Sequence, residues 1–208
     1  MKNIIFDVDR TLVDSYTPEL STLKEAIFLA TGREYEDSVM DQLTILTTDE
    51  FFQSLKITDS DTLKRINHYW GKLLEENPVT MFSDIPEVLN FLSKEQFFLG
   101  IATSRTREEL EEITDLMELL PIFDSVVTSD QVVHPKPNPE SILTILENNK
   151  LNPSETIYVG DSKSDMLAAA SAGVSFAYAA WDNHDDTITY DYLLNTPKDL
   201  KKLFSFSK

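Results

Sequence analysis

Cysteine is absent from this 208-residue chain, which excludes a disulfide framework and any thiolate metal site. Basic residues are scarce: 18 Lys and Arg stand against 36 Asp and Glu, for a formal net charge of −18. With no basic stripe in the sequence, such a surface repels polyanions and excludes a nucleic-acid scaffold. No apolar run is long enough to span a bilayer. The start, Met1-Lys2-Asn3, lacks the apolar stretch and small-residue cleavage site of a secretory signal, so the expected location is cytoplasmic. What remains is ordinary for a soluble globular protein, 41% hydrophobic and 26% charged. Most of the acidity reads as a solubilising surface. A small anionic ligand would need a bound cation or a few placed Lys and Arg residues.

Two patterns divide the chain. From about Thr17 to Asn77 the periodicity is helical throughout. Thr17-Pro18-Glu19 opens a helix with Leu20, Leu23, Ile27 and Ala30 on one face and Gly32 just past its end. Tyr35, Val39, Leu43 and Leu46 mark a second helix. Thr47-Thr48-Asp49-Glu50 offers a capping box into a third with Phe51, Phe52 and Leu55, and Leu63, Ile66, Trp70 and Leu73 mark a fourth. Four short amphipathic helices predict a small bundle. Elsewhere, apolar strands alternate with helices: Ile4-Ile5-Phe6, 97–102, 123–127, 156–160 and 175–179, with helices around 86–93, from Thr106 through Met117, and over 141–148 and 163–172. That alternation predicts a parallel sheet with right-handed crossovers. The expected fold is α/β, a Rossmann-like three-layer core of residues 1–14 and 82–208, with an all-α bundle of residues 15–81 inserted after the first strand.

Three of the strands end in functional groups. Ile4-Ile5-Phe6 ends in Asp7, with Asp9 one residue beyond; Gly100-Ile101-Ala102 ends in Thr103-Ser104; and Ile157-Tyr158-Val159-Gly160 ends in Asp161, with Asp165 four residues on. Open α/β sheets bind ligands at these carboxyl ends. Between the last two strands, His134-Pro135-Lys136-Pro137-Asn138-Pro139 presents one Lys from a proline-held loop. Each piece alone has a plainer reading: the Asp7/Asp9 pair as a turn, Thr103-Ser104 as an ordinary helix start, Asp161-Ser162 as a cap, Asp165 as a first-turn acid, Lys136 as surface decoration. The Asp7/Asp9 spacing also suits magnesium-dependent attack on phosphorus, with one carboxylate as nucleophile and the other handling the proton, and the pieces together, all where strand carboxyl ends converge, need a common explanation.

The order Asp-x-Asp-x-Thr, strand-Thr, Lys-Pro and Gly-Asp-x-x-x-Asp resembles the haloacid dehalogenase superfamily, over essentially the whole chain. The likeness is to phosphatases with a helical cap after the first strand, the phosphoglycolate phosphatase-like subgroup. The run from Gly160 to Asp165, the Ala-rich helix ending at Gly173 and the tail around Tyr190–Leu194 share that subgroup's character. The resemblance implies Asp7 as nucleophile, forming an aspartyl-phosphate, and Asp9 as acid and base. Thr103 and the Ser104 main chain would bind phosphoryl oxygens, and Lys136 would neutralise the nucleophile and the phosphate. Mg2+ would be held by Asp7, the Asp9 carbonyl and Asp161, with Asp165 in support. Asp9 separates this chain from the dehalogenases, which lack a second Asp there.

The implied ligand is a small phosphorylated metabolite: phosphoglycolate-like, a sugar phosphate, a nucleotide or pyrophosphate. The expected assembly is a monomer or weak homodimer, with no nucleic-acid or membrane partner. The chain departs from the pattern at Arg10, where Gly is usual and where the side chain is expected to face solvent. Pro135 stands before the motif Lys, and Trp181-Asp182-Asn183-His184 replaces a Gly-rich loop in a chain with only five glycines. Arg105 and Arg107 follow the phosphate-binding Thr and rank below Lys136 as ligands. In the helical insertion, Tyr69 or Trp70 is expected to pack the bundle, with His68 and Arg33 solvated. Two rivals stand: a phosphomutase of the same architecture, which would need a histidine that the segment Asp14–Leu20 lacks, and a non-catalytic phosphate-binding regulator.

Overall fold

A computed structural model describes residues 2–40, 48–182 and 184–205. Leu43, Leu46, Thr47 and Asn183, singled out above, lie outside the described residues. The chain forms two compact units, Met1–Asp14 with Thr80–Lys208, and Ser15–Val79.

The larger unit is built on a sheet of six parallel strands in the order β5-β4-β1-β6-β7-β8. These are β1 (Asn3–Phe6), β4 (Phe98–Ala102), β5 (Ser125–Val127), β6 (Thr156–Gly160), β7 (Ser175–Ala179) and β8 (Tyr192–Leu194). From β1 the chain winds outward through β4 to β5, then returns to the other side of β1 at β6. The winding direction therefore reverses between β1 and β6, the switch point at which such sheets leave a crevice. β1 is buried along its whole length, as its unbroken apolar run requires of a central parallel strand. Ile5, Tyr158, Phe176 and Tyr178 pack with Ile142, Ile145 and Leu146 of α8 (Glu140–Asn149) and Ala168, Ala169 and Ala172 of α9 (Lys163–Ala172). In the alternate register Ile4, Phe6, Ile157 and Val159 are fully buried too, so both faces of the sheet are covered. Helix α5 (Ile85–Lys94) packs on β4 through its buried face of Val88, Leu89 and Leu92.

Local chemistry accounts for the places where element boundaries differ from expectation. Residues Leu120–Ile122 form a 3-10 turn that ties the Phe123 N–H to the Leu120 carbonyl, so the strand expected from Phe123 begins only at Ser125. The helix expected from Thr106 through Met117 opens on the anticipated Thr106–Glu109 capping box. It then divides at buried Ile113 into α6 (Arg107–Glu111) and α7 (Thr114–Leu119). Thr80 and Met81, placed by sequence in the helical insertion, instead form β3, which pairs antiparallel with β2 (Val13–Asp14). The chain thus leaves and rejoins the sheet unit side by side.

The smaller unit packs α1 (Tyr16–Thr31) against α4 (Ser60–Glu76), with the shorter α2 (Asp37–Met40) and α3 (Thr48–Ser54) between them in sequence. Its core joins Leu23, Ala26, Ile27, Met40, Phe51, Phe52 and Ile66. Trp70 packs on that core and donates from Nε1 to Thr22 Oγ1 at 3.1 Å, while His68 and Arg33 are exposed. Gly32 ends α1 in the left-handed region, at φ 70°, its N–H closing on the Phe28 carbonyl.

Candidate active site

The loops leaving β1, β4 and β6 converge with the proline-rich loop before α8. Asp7 follows β1 directly, and its N–H is held by the Val159 carbonyl of the neighbouring strand at 2.9 Å. Lys136 reaches in from the proline loop with its side chain only 4% exposed. Its Nζ donates to Asp7 Oδ1 at 2.6 Å, to Asp165 Oδ1 at 2.7 Å and to the Tyr158 hydroxyl at 3.0 Å. Tyr158 in turn donates to the Ala102 carbonyl at 2.8 Å.

Asp165 does two jobs at once. Its Oδ2 accepts from the Ser162 N–H and hydroxyl, closing the capping box at the start of α9, while its Oδ1 faces Lys136. The helix-capping and functional readings of this residue are therefore compatible: the cap fixes the carboxylate that the lysine meets. Gly160 makes room for it. A Cβ at that position would lie 2.6 Å from Asp165 Cγ, well inside van der Waals contact.

Asp7, Asp161 and Asp165 can each offer an oxygen so that the three lie within 4.8 Å of one another. Burial, then the Asp165 charge, pushes the Asp7 carboxyl up to about 7, against the pull of Lys136. Burial, then Asp165 and Asp7, likewise drives Asp161 well above the usual carboxylate range. Burial opposes charge on Lys136, but Asp165 and Asp7 outweigh it and hold the ammonium well above its ordinary value. Taking the contacts of Lys136, Arg105 and Arg10 together, five carboxylates (Asp7, Asp9, Asp161, Asp165, Asp182) meet three cations, a formal excess of two negative charges. An all-oxygen donor set with that excess fits one Mg2+ ion.

Thr103 is buried after β4, its N–H on the Val127 carbonyl and its Oγ1 accepting the Arg105 N–H at 3.1 Å; Ser104 beside it is exposed. The Asp9 carboxylate is clamped by Arg105, with Nη2 on Oδ1 at 2.5 Å and Nε at 3.0 Å from both oxygens. The Arg107 side chain turns to Glu111 instead, and its main-chain N–H donates to Asp130.

Arg10 corrects one expectation. Its side chain does not face solvent: Nε donates to Asp182 Oδ2 at 2.6 Å and lies 3.5 Å from Asp161 Oδ2. The surrounding acids draw it in. Its φ of 55° also explains why glycine suits the position, since the loop turns through the left-handed region there. Sequence reasoning missed Tyr158, Asp182 and the weight of Arg105. The available signals were a hydroxyl inside an otherwise apolar central strand and an acid at the carboxyl end of β7.

Buried carboxylates gather around one lysine, beside strand-end Thr and Asp groups at the switch point of the sheet. Residues 4–179 match the haloacid dehalogenase-like hydrolases, and the chain belongs to that family. Pyrophosphatase PpaX of Bacillus velezensis is 31% identical over 183 residues, 86% of this chain and 82% of the relative. A phosphorylated carbohydrates phosphatase of Thermotoga maritima is 29% identical over 196 residues, covering 89% and 88% of the two chains. Among solved structures, a HAD-superfamily hydrolase of subfamily IA from Geobacter sulfurreducens superposes with a TM-score of 0.78 at 25% identity, over 98% of this chain and 96% of its own. Among the described residues, no helix is long and apolar enough to cross a membrane.

Proposed function

We propose that the chain is a Mg2+-dependent phosphatase that hydrolyses a small phosphorylated metabolite through an aspartyl-phosphate on Asp7. The observation that carries this reading is Lys136 held between Asp7 and Asp165, in a carboxylate cluster whose charge excess matches one divalent cation. Asp7, Asp161 and Asp165, with the Asp9 carbonyl, would hold the ion. When bound, it supplies positive charge against the phosphoryl oxygens and lets several carboxylates stay ionised in one pocket.

The protein's own groups do the rest. An Asp7 oxygen attacks phosphorus while the bond to the leaving oxygen breaks, and Asp9 gives that oxygen its proton. Water then attacks the aspartyl-phosphate, its proton returning to Asp9, and inorganic phosphate leaves with Asp7 restored. Lys136 opposes the charge that gathers on Asp7 and the phosphoryl group. The Thr103 hydroxyl and the Ser104 N–H serve its remaining oxygens. Residues 15–79 take the part of the specificity cap, a role that rests on the sequence resemblance. The pyrophosphatase and carbohydrate phosphatase named among the relatives support a small phosphorylated substrate.

The test is phosphate release by purified protein with Mg2+ across phosphoglycolate, sugar phosphates, nucleotides and pyrophosphate. Wild type should release phosphate and, on rapid acid quench, gain the mass of one phosphoryl group. Asp7→Asn should do neither while keeping its melting temperature. Turnover retained by Asp7→Asn would overturn the assignment.

A further inference from the structure

Tyr158 stands in a strand that a plain apolar residue would serve. β6 is buried along its length, Ile157 and Val159 flank the position, and the ring belongs to the core that includes Ile5, Ile142 and Ala168. A hydroxyl in such surroundings costs free energy unless it is paired. Its partners are groups of the site. It accepts from Lys136 Nζ at 3.0 Å, donates to the Ala102 carbonyl at 2.8 Å and lies 3.2 Å from Asp165 Oδ1. Ala102 ends β4 just before Thr103, where pairing with β5 continues but pairing with β1 has stopped at Phe6 and Ile101. One buried hydroxyl thus joins the lysine to the strand end that carries Thr103.

The Lys136 ammonium has three donors, and they meet Asp7, Asp165 and Tyr158. Two of these acceptors are carboxylates. A third donor left unmet would be costly in a side chain only 4% exposed, and a third carboxylate would add to the negative excess of the cluster. A neutral hydroxyl fixes the remaining direction without adding charge. Fixing matters because the flexible four-carbon stem of lysine, unlike the planar fork of arginine, does not aim its own charge. Resting on the phosphatase reading, we propose that Tyr158 is a positioning residue for the reaction. Its hydroxyl holds the Lys136 ammonium where it meets both Asp7 and the phosphoryl group in the transition state. Through the Ala102 carbonyl it also sets that ammonium in register with Thr103. Tyr158 acts on the chemistry only through the lysine.

Tyr158→Phe isolates the hydroxyl, because it keeps the ring whose centroid lies 5.6 Å from Lys136 Nζ. The control is Thr156→Val at the far end of the same strand, which removes a buried hydroxyl bonded to Asn3 and to the Asn152 carbonyl. With Mg2+ and a compound that wild type hydrolyses, Tyr158→Phe should lower kcat about ten- to hundredfold, the value of a hydrogen bond to a charged group, with KM within about threefold. Inhibition by orthovanadate, a mimic of the five-coordinate transition state, should weaken by a similar factor. Vanadate separates placement from stability. A partly unfolded variant also loses kcat, but its folded fraction would bind vanadate as wild type does. Thr156→Val should lower the melting temperature and leave kcat and vanadate inhibition within about twofold. A Tyr158→Phe kcat within about threefold of wild type, or an unchanged vanadate inhibition constant, would overturn the inference. If Tyr158→Phe does not fold, a crystal structure of wild type with Mg2+ and vanadate decides. A Tyr158 hydroxyl still hydrogen-bonded to Lys136 supports the positioning role, and one parted from it sinks that role. No phosphate release by wild type from any compound tested would bring down the phosphatase reading itself, and this inference with it.

Discussion

Replacing Gly160 by Ala tests whether the sheet was fitted around one carboxylate. The added Cβ would stand 2.6 Å from Asp165 Cγ, 2.7 Å from its Cβ and 2.7 Å from Oδ2, distances that real Cβ atoms do not tolerate. The strand cannot retreat, because β6 is hydrogen-bonded between β1 and β7 and buried along its length. Asp165 must therefore move, and it cannot do so without breaking the Ser162 capping box and the contact with Lys136. Loss of a cap costs about 1 kcal/mol, and overpacking a dense core about 1–3 kcal/mol. The sum, about 2–4 kcal/mol, lowers the melting temperature of a chain this size by roughly 5–15 °C. Thermal unfolding with chelator and with Mg2+ reads both consequences, and the rise produced by Mg2+ should shrink as the proposed ligand Asp165 leaves its place. Gly173→Ala is the control. It strains a left-handed cap at φ 72° with open space around the new Cβ, so it should cost stability and leave the Mg2+ response intact. A Gly160→Ala protein with wild-type melting temperature and Mg2+ response would refute the argument.

Two further outcomes follow from the charge arrangement. The Asp7 carboxyl titrates near 7 in the folded metal-free protein and near about 3.9 in an unfolded chain, so the folded state holds a proton that the unfolded state has lost between these values. Its contribution to stability is full at the acid end of that window and vanishes as pH rises through 7. Melting temperatures in chelator should therefore fall across this range, and the stabilisation by Mg2+ should be larger at pH 8 than at pH 6; the opposite trend would contradict the burial argument. Arg10→Gly removes the cation from Asp182 and Asp161 while easing a left-handed backbone, and the greater freedom of glycine in the unfolded chain offsets that relief. Lower stability without metal and tighter Mg2+ binding by calorimetry are expected, since a competitor leaves the edge of Asp161; weaker Mg2+ binding would show that Arg10 instead orders the site.

The parts of the site that sequence revealed are those whose chemistry and position coincide. Asp7, Thr103 and Asp161 each end an apolar run, and a buried parallel strand leaves its polar terminus nowhere to go but the carboxyl edge of the sheet. Lys136 was visible because prolines isolate it. The unread parts depend on distances across the fold. Tyr158 looks like one more apolar residue in β6 until its hydroxyl is seen against Lys136 and the Ala102 carbonyl. Asp182 is separated from Arg10 by 172 positions, and no local pattern pairs them. The β2–β3 ladder, with two residues on each side, is too short to carry a period, and the pairing that defines it spans the whole helical insertion.

Arg10 and Arg105 show how an acidic chain shapes its own site. With twice as many acids as bases, a cation placed among strand-end carboxylates is captured by one of them unless a ligand competes. Each of the three site cations is in fact captured: Lys136 by Asp7 and Asp165, Arg10 by Asp182, Arg105 by Asp9. On the proposed phosphatase reading, an anion entering such a site meets positive charge that is already paired, so the strength of the internal pairs enters its binding free energy. A buried pair such as Lys136–Asp7 is costly to break and suits a permanent role. A part-exposed pair such as Arg105–Asp9 is weaker, because solvent screens it.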